Sequence, residues 1–210
     1  MQRILQKRIV PVAVIDRAED AVPLAEAVIA GGVDIIEVTF RTPAAEQSIR
    51  NVRKAFPTML IGAGTILDTE QLQRAIDAGA QFAVAPGLND VVVTKSLALK
   101  FPFVPGVMTP SEIERGLALG CKLQKFFPAE AAGGVKMLQA LAGPYAHTAV
   151  KFIPLGGINI RNARDYLALP MVAAIGGSWM VERKLIAEKD WPSIRKLTAE
   201  AAQVAASAAP

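Results

Sequence analysis

Lys125 stands in the apolar stretch Cys121-Lys122-Leu123-Gln124-Lys125-Phe126-Phe127-Pro128-Ala129-Glu130. A lysine normally avoids such a place, because an unpaired ammonium is costly to bury. Burial also lowers the pKa of an amine and leaves a neutral nucleophile near pH 7. A neutral amine condenses with ketones to form Schiff bases. The plainer reading is a lysine paired with a carboxylate or reaching out of its strand. A second group of charges lies in Asp34-Ile35-Ile36-Glu37-Val38-Thr39-Phe40-Arg41-Thr42. The two-residue period of a strand puts Ile35, Glu37, Thr39 and Arg41 on one side and Ile36, Val38 and Phe40 on the other. Two readings are open. Glu37 and Arg41 form a buried ion pair, or Glu37 moves protons while Arg41 binds a substrate carboxylate bidentately. The same parity puts Leu123, Lys125 and Phe127 on one face and Lys122 out of phase. Lys151 lies at the start of its strand, away from the expected site.

These side chains need elements to bring them together. Apolar, β-rich segments recur at Ile9 to Ile15, Ile35 to Phe40, Leu60 to Thr65, Phe82 to Pro86, Phe103 to Val107, Leu123 to Phe127, Val150 to Leu155 and Val172 to Ile175, eight in all. Helical patterns follow, among them Ala18 to Ala30, Pro43 to Ala55, Asp68 to Ala78 and Asn89 to Leu99. Start signals at Thr42-Pro43, Asp68 to Gln71 and Thr109-Pro110-Ser111-Glu112 agree. Gly31-Gly32, Gly79 and Gly120 fall where helices end. Alternating strands and helices imply parallel strands with crossover helices. Eight units point to an α/β fold of the closed (β/α)8 TIM barrel type, with an open doubly wound sheet as the alternative. The first connection, after Ile15, lacks the glycine-rich dinucleotide fingerprint. Polar and glycine-rich residues recur at the strand ends where a barrel carries its active site. Residues 1–210 are expected to form a single barrel domain, with Trp191 to Ala206 as a final outer helix.

Two more strand ends carry glycine pairs, Leu155-Gly156-Gly157-Ile158 and Ile175-Gly176-Gly177-Ser178-Trp179. Glycine lets backbone N–H groups approach an anion, and loops after the last two strands are the usual phosphate site of this barrel. Ile61-Gly62-Ala63-Gly64-Thr65 either opens space for a small ligand or packs strand against helix.

Bulk properties narrow the classes. The chain has 210 residues, 52% hydrophobic and 20% charged, which excludes a disordered chain. A net charge of +4 without a long basic run argues against nucleic acid. One cysteine and one histidine, Cys121 and His147, exclude an internal disulfide and a multi-histidine metal site. Met1 to Arg8 is polar and charged, without a signal-type apolar segment. No apolar run reaches transmembrane length. The expectation is a cytoplasmic protein.

Taken in order along nearly the whole chain, these motifs resemble the 2-keto-3-deoxy-6-phosphogluconate (KDPG) aldolase / 4-hydroxy-2-oxoglutarate (KHG) aldolase family of class I enzymes. The resemblance rests on Glu37-Val38-Thr39-Phe40-Arg41-Thr42, Gly62-Ala63-Gly64-Thr65, Pro105 to Glu112, Lys125 to Glu130, Gly156-Gly157-Ile158 and Gly176-Gly177-Ser178-Trp179. It implies Lys125 as the Schiff-base lysine and Glu37 as the acid/base. It implies Arg41 and Thr65 on the pyruvyl carboxylate, Pro86 and Phe127 lining the pyruvate pocket, and Gly156, Gly157, Gly176, Gly177 and Ser178 at the phosphate. It further implies a homotrimer, a phosphorylated keto sugar acid as substrate, no cofactor and no metal. One departure is Leu155, where many members have a threonine near the substrate hydroxyl at the cleaved bond. Leucine offers no hydrogen bond, which puts discrimination between the gluconate and galactonate epimers in doubt. The other readings are an isomerase or epimerase using the same phosphate loops, and a non-catalytic phosphosugar-binding barrel.

Overall fold

The β-rich segments become short parallel strands. They are β1 (Ile9–Ala13), β2 (Ile35–Thr39), β3 (Leu60–Gly64), β4 (Phe82–Val84), β5 (Phe103–Val104), β6 (Gly106–Val107), β7 (Leu123–Phe126), β8 (Lys151–Pro154) and β9 (Ile175–Gly177). The computed structural model describes residues 1–208. Between the strands run α1 (Gln2–Lys7), α2 (Ala21–Ala30), α3 (Ala45–Ala55), α4 (Thr69–Asp77), α5 (Asp90–Ala98), α6 (Pro110–Ala118), α7 (Gly134–Tyr145), α8 (Ala163–Leu167), α9 (Arg183–Ala187) and α10 (Trp191–Ser207); α1 precedes the first strand and α10 ends the series. All five residues of β2 are buried, as expected of a strand covered on both faces.

The helix starts follow the sequence signals with one exception. The Asp68 and Asn89 side chains accept hydrogen bonds from the N–H groups of Gln71 and Val91. Thr109 and Glu112 form a reciprocal capping box on α6. Thr42-Pro43 does not start α3, which begins at Ala45. The Thr42 hydroxyl instead donates to the Ile15 carbonyl at 2.5 Å and ties the second strand end to the first.

The parallel α/β layout is present, but its strands fall into two sheets. One has the order β5-β4-β3-β2-β1-β9 and the other β6-β7-β8. The expected single strand from Phe103 to Val107 is divided at Pro105, which has no N–H to continue a ladder. β5 pairs with β4, and β6 pairs with β7. The Pro105 carbonyl still accepts from the Lys125 N–H at 2.8 Å. At the other side, an isolated parallel bridge joins Phe152 of β8 to Val172. The last strand is also displaced from its expected place. Gly176 and Gly177, read as a turn, belong to β9 and pair with Val10 and Pro11. Met1 to Arg8, read only as a polar terminus, contains α1, whose Ile4 is fully buried. Among the described residues, no helix is long and apolar enough to cross a membrane.

Candidate active site

β2 and β7 deliver the two charged groups to one interior. Glu37 is 3% exposed and Lys125 is 5% exposed. They share a cavity of ≈ 10 Å³ with Val84, Leu155, Gly176 and Ile4, room for about one water molecule. Glu37 fits there because β3 carries glycine at position 64: a Cβ there would lie 2.0 Å from Glu37 Oε1. Glycine at position 64 thus opens space, but the Glu37 carboxylate fills it. Gly62 is close packing instead, since a Cβ there would meet the Phe82 ring at 2.2 Å.

The electrostatics of the pair follow from burial. Desolvation raises the Glu37 pKa, and the nearby Lys125 opposes it. Desolvation lowers the Lys125 pKa; Glu37 opposes this and Arg41 reinforces it. No salt bridge joins Glu37 to Lys125 or to Arg41 among the described residues, and Glu37 Oε1 is buried without a hydrogen-bond partner. The buried Glu37–Arg41 ion pair is therefore not formed. β2 ends at Thr39, so Arg41 lies beyond the strand and is exposed rather than interior. It acts on Lys125 through its charge. The Lys125 ammonium nitrogen sits 4.8 Å from the centroid of the Phe127 ring, on the face that parity assigned. The competing lysines are outside: Lys122 and Lys151 are exposed, and Lys151 donates to the Pro170 carbonyl at 2.8 Å.

Of the remaining sequence-derived residues, Leu155 and Gly176 line the cavity of this pair. Thr65 follows β3, half-buried with φ 60°, a backbone region that is strained for a β-branched residue. Pro86 is half-buried at the end of β4's segment. Leu155 follows β8 and faces the cavity; its Cδ1 would lie 2.5 Å from a Cβ on Gly176. The two glycine pairs differ in kind. Gly156 and Gly157 form a real turn at φ 103° and 81°, values that only glycine adopts without strain. Gly177 lies in a strand under the Trp179 indole, which a Cβ would strike at 1.8 Å. Ser178 is exposed beside it.

Sequence reasoning missed the residues that shape the Gly156-Gly157 turn. The Asn159 and Asn162 side-chain amides both donate to the Gly157 carbonyl at 3.2 Å. Two asparagines three apart after a glycine pair are a turn signal that could have flagged them. Tyr166 and Glu130, hydrogen-bonded to each other, carry no such local signal. A wider groove of ≈ 550 Å³ between α2 and α10, lined by Pro23, Ala27 and Trp191 among others, lies away from the buried pair.

A profile of the KDPG and KHG aldolases matches residues 1–197. The chain belongs to the KDPG and KHG aldolase family. It is 46% identical over 200 residues to the 2-dehydro-3-deoxy-phosphogluconate aldolase of Haemophilus influenzae, covering 95% of this chain and 93% of the relative. It is 47% identical over 195 residues to the KHG/KDPG aldolase of Escherichia coli K12, covering 93% and 91%. Among solved structures, the KDPG aldolase of Legionella pneumophila matches with a TM-score of 0.90 at 43% identity, covering 94% of this chain and 95% of that one. That structure holds pyruvate captured at low pH as a covalent carbinolamine intermediate. The buried amine and carboxylate of this family member thus occur in a chain whose aldolase relatives match over nearly its full length.

Proposed function

We propose that this chain is a class I aldolase, a carbon–carbon lyase that reversibly cleaves 2-keto-3-deoxy-6-phosphogluconate to pyruvate and glyceraldehyde 3-phosphate. The observation that carries this reading is a desolvated lysine facing a desolvated glutamate inside a chain of this family. Neutral Lys125 attacks the C2 ketone. Glu37, through one water, carries protons during formation and dehydration of the carbinolamine. As Glu37, through the water, takes the C4 hydroxyl proton, the iminium accepts the electron pair of the breaking C3–C4 bond, and glyceraldehyde 3-phosphate leaves. Glu37 then returns a proton to the enamine, and hydrolysis frees pyruvate. Arg41 and Thr65 hold the pyruvyl carboxylate, while Pro86 and Phe127 wall its pocket. Gly156, Gly157, Gly176, Gly177 and Ser178 hold the phosphate, so binding far from the reacting bond positions it. The reading includes a single domain in which the two sheets belong to one (β/α)8 barrel. It also includes a cytoplasmic homotrimer, for which light scattering should read three times the 22.3 kDa of one chain. No cofactor or metal enters these steps.

Pyruvate release from the phosphogluconate substrate tests the reaction. The natural protein should release it and Lys125→Met should not; equal release by both would end the proposal. The same amine and glutamate also suit 4-hydroxy-2-oxoglutarate, a reading supported by the dual name of the E. coli relative. A galactonate-epimer reading is kept open by one observation, the apolar Leu155 beside the buried pair. Comparing kcat/KM for the two epimers in the natural protein and in Leu155→Thr decides it. A ratio unchanged by the substitution removes Leu155 from specificity.

A further inference from the structure

We propose that the Glu130–Tyr166 hydrogen bond is a latch that sets the phosphate turn, making both side chains positioning residues for the phosphorylated substrate. This rests on the aldolase reading and deepens it. The turn's geometry begins with its carbonyls. The Ala129 N–H donates to the Leu155 carbonyl at 2.8 Å, and the Glu130 N–H donates to the Gly156 carbonyl at 3.0 Å. In a trans peptide the C=O and the following N–H point in opposite directions. Anchoring these two carbonyls on the 129–130 segment therefore aims the Gly156 and Gly157 N–H groups away from it, free to meet an anion. The Gly157 carbonyl is fixed in turn by the Asn159 and Asn162 amides.

The Gly133 and Gly134 N–H groups hold the carbonyls of the 129–130 segment, and the Glu130 side chain ties it across to α8. The fully buried Tyr166, on α8 beyond the turn, donates its hydroxyl to Glu130 Oε1. Burial foremost, then that carboxylate, push the Tyr166 pKa up, so the hydroxyl keeps its proton. The fit is close on the other side too. A Cβ on Gly157 would lie 2.7 Å from Glu130 Cβ and Cγ, and one on Gly134 would lie 3.0 Å from Glu130 Oε1. The latch thus joins the segment following Lys125 to the helix following the turn. It also draws the Glu130 carboxylate toward Tyr166, where it does not swing against a bound phosphate.

Tyr166→Phe removes only the donor hydroxyl, and Glu130→Ala removes the acceptor. For Tyr166→Phe, KM for the phosphorylated substrate should rise about tenfold or more, with kcat little changed. Its kinetics on 4-hydroxy-2-oxoglutarate, which lacks a phosphate, should stay at the natural values. Glu130→Ala should repeat this pattern, with KM raised for the phosphorylated substrate only. Equal loss on both substrates, or no change on either, overturns the latch. Calorimetric titration with inorganic phosphate separates this idea from the aldolase reading. Weaker phosphate binding by Tyr166→Phe supports the latch whether or not Lys125 reacts, and unchanged phosphate binding counts against it. Failure of the natural protein to form a pyruvate adduct would sink the aldolase reading alone.

Discussion

Burial pushes Glu37 and Lys125 toward their neutral forms, while each pulls the other back toward its charge. The balance has a testable sign. Lys125 loses its proton below the ordinary lysine value of 10.5 because burial, with help from Arg41, disfavours the ammonium. The rate of adduct formation with pyruvate should therefore rise with pH along a limb placed below that value. Removing a nearby cation favours the ammonium, so Arg41→Gln should move the limb to higher pH. Removing the carboxylate disfavours it, so Glu37→Gln should move the limb to lower pH, while kcat falls by about 10²–10⁴-fold with the loss of the proton carrier. Rapid-quench trapping across pH measures both shifts. Shifts in the same direction would mean that Arg41 and Glu37 do not act on Lys125 through their charges.

At the scale of elements, the strand ends make the site. β3 leaves Glu37 room by placing Gly64 beside it. Gly64→Ala should displace the carboxylate and lower kcat by about tenfold or more, within the range of a lost acid/base contact, while thermal unfolding shows a chain that still folds. Unchanged kcat would mean that Glu37 tolerates the displacement and that its position is not tightly set. Much of this scale was legible in the sequence. The two-residue period put Glu37 and Lys125 in one interior and Lys122 out of phase, while Lys151 was set aside by its place at the start of its strand. Asp68, Asn89 and Thr109 marked helix starts because their caps are local hydrogen bonds. What was not legible depends on neighbours distant in sequence. Arg41 left the interior because β2 stops two residues earlier, at Thr39. Gly176 and Gly177 became strand residues because β1 pairs with them. The Glu130–Tyr166 contact spans 36 residues, and no local pattern announces it.

For the whole molecule, α1 has a part that its polar composition hid. Ile4 is fully buried and lines the cavity of Glu37 and Lys125, so the first helix helps to keep that interior dry. Ile4→Ala should cost about 2–5 kcal/mol of stability by chemical denaturation. Admitting water should also weaken the desolvation of Lys125 and raise its pKa, moving the adduct limb to higher pH. Loss of stability with an unmoved limb would confine α1 to packing. The division of the strands into two sheets at Pro105 is the other feature of this scale. Both sheets nonetheless bring their site residues together: Glu37 comes from the first and Lys125 from the second.

In the proposed reaction everything turns on Lys125 as the nucleophile. Incubation with pyruvate, reduction with borohydride and peptide mass spectrometry test it most directly. One reduced pyruvate adduct is expected, on Lys125, and none in Lys125→Met. An unmodified Lys125, or an adduct on Lys122 or Lys151, would contradict it.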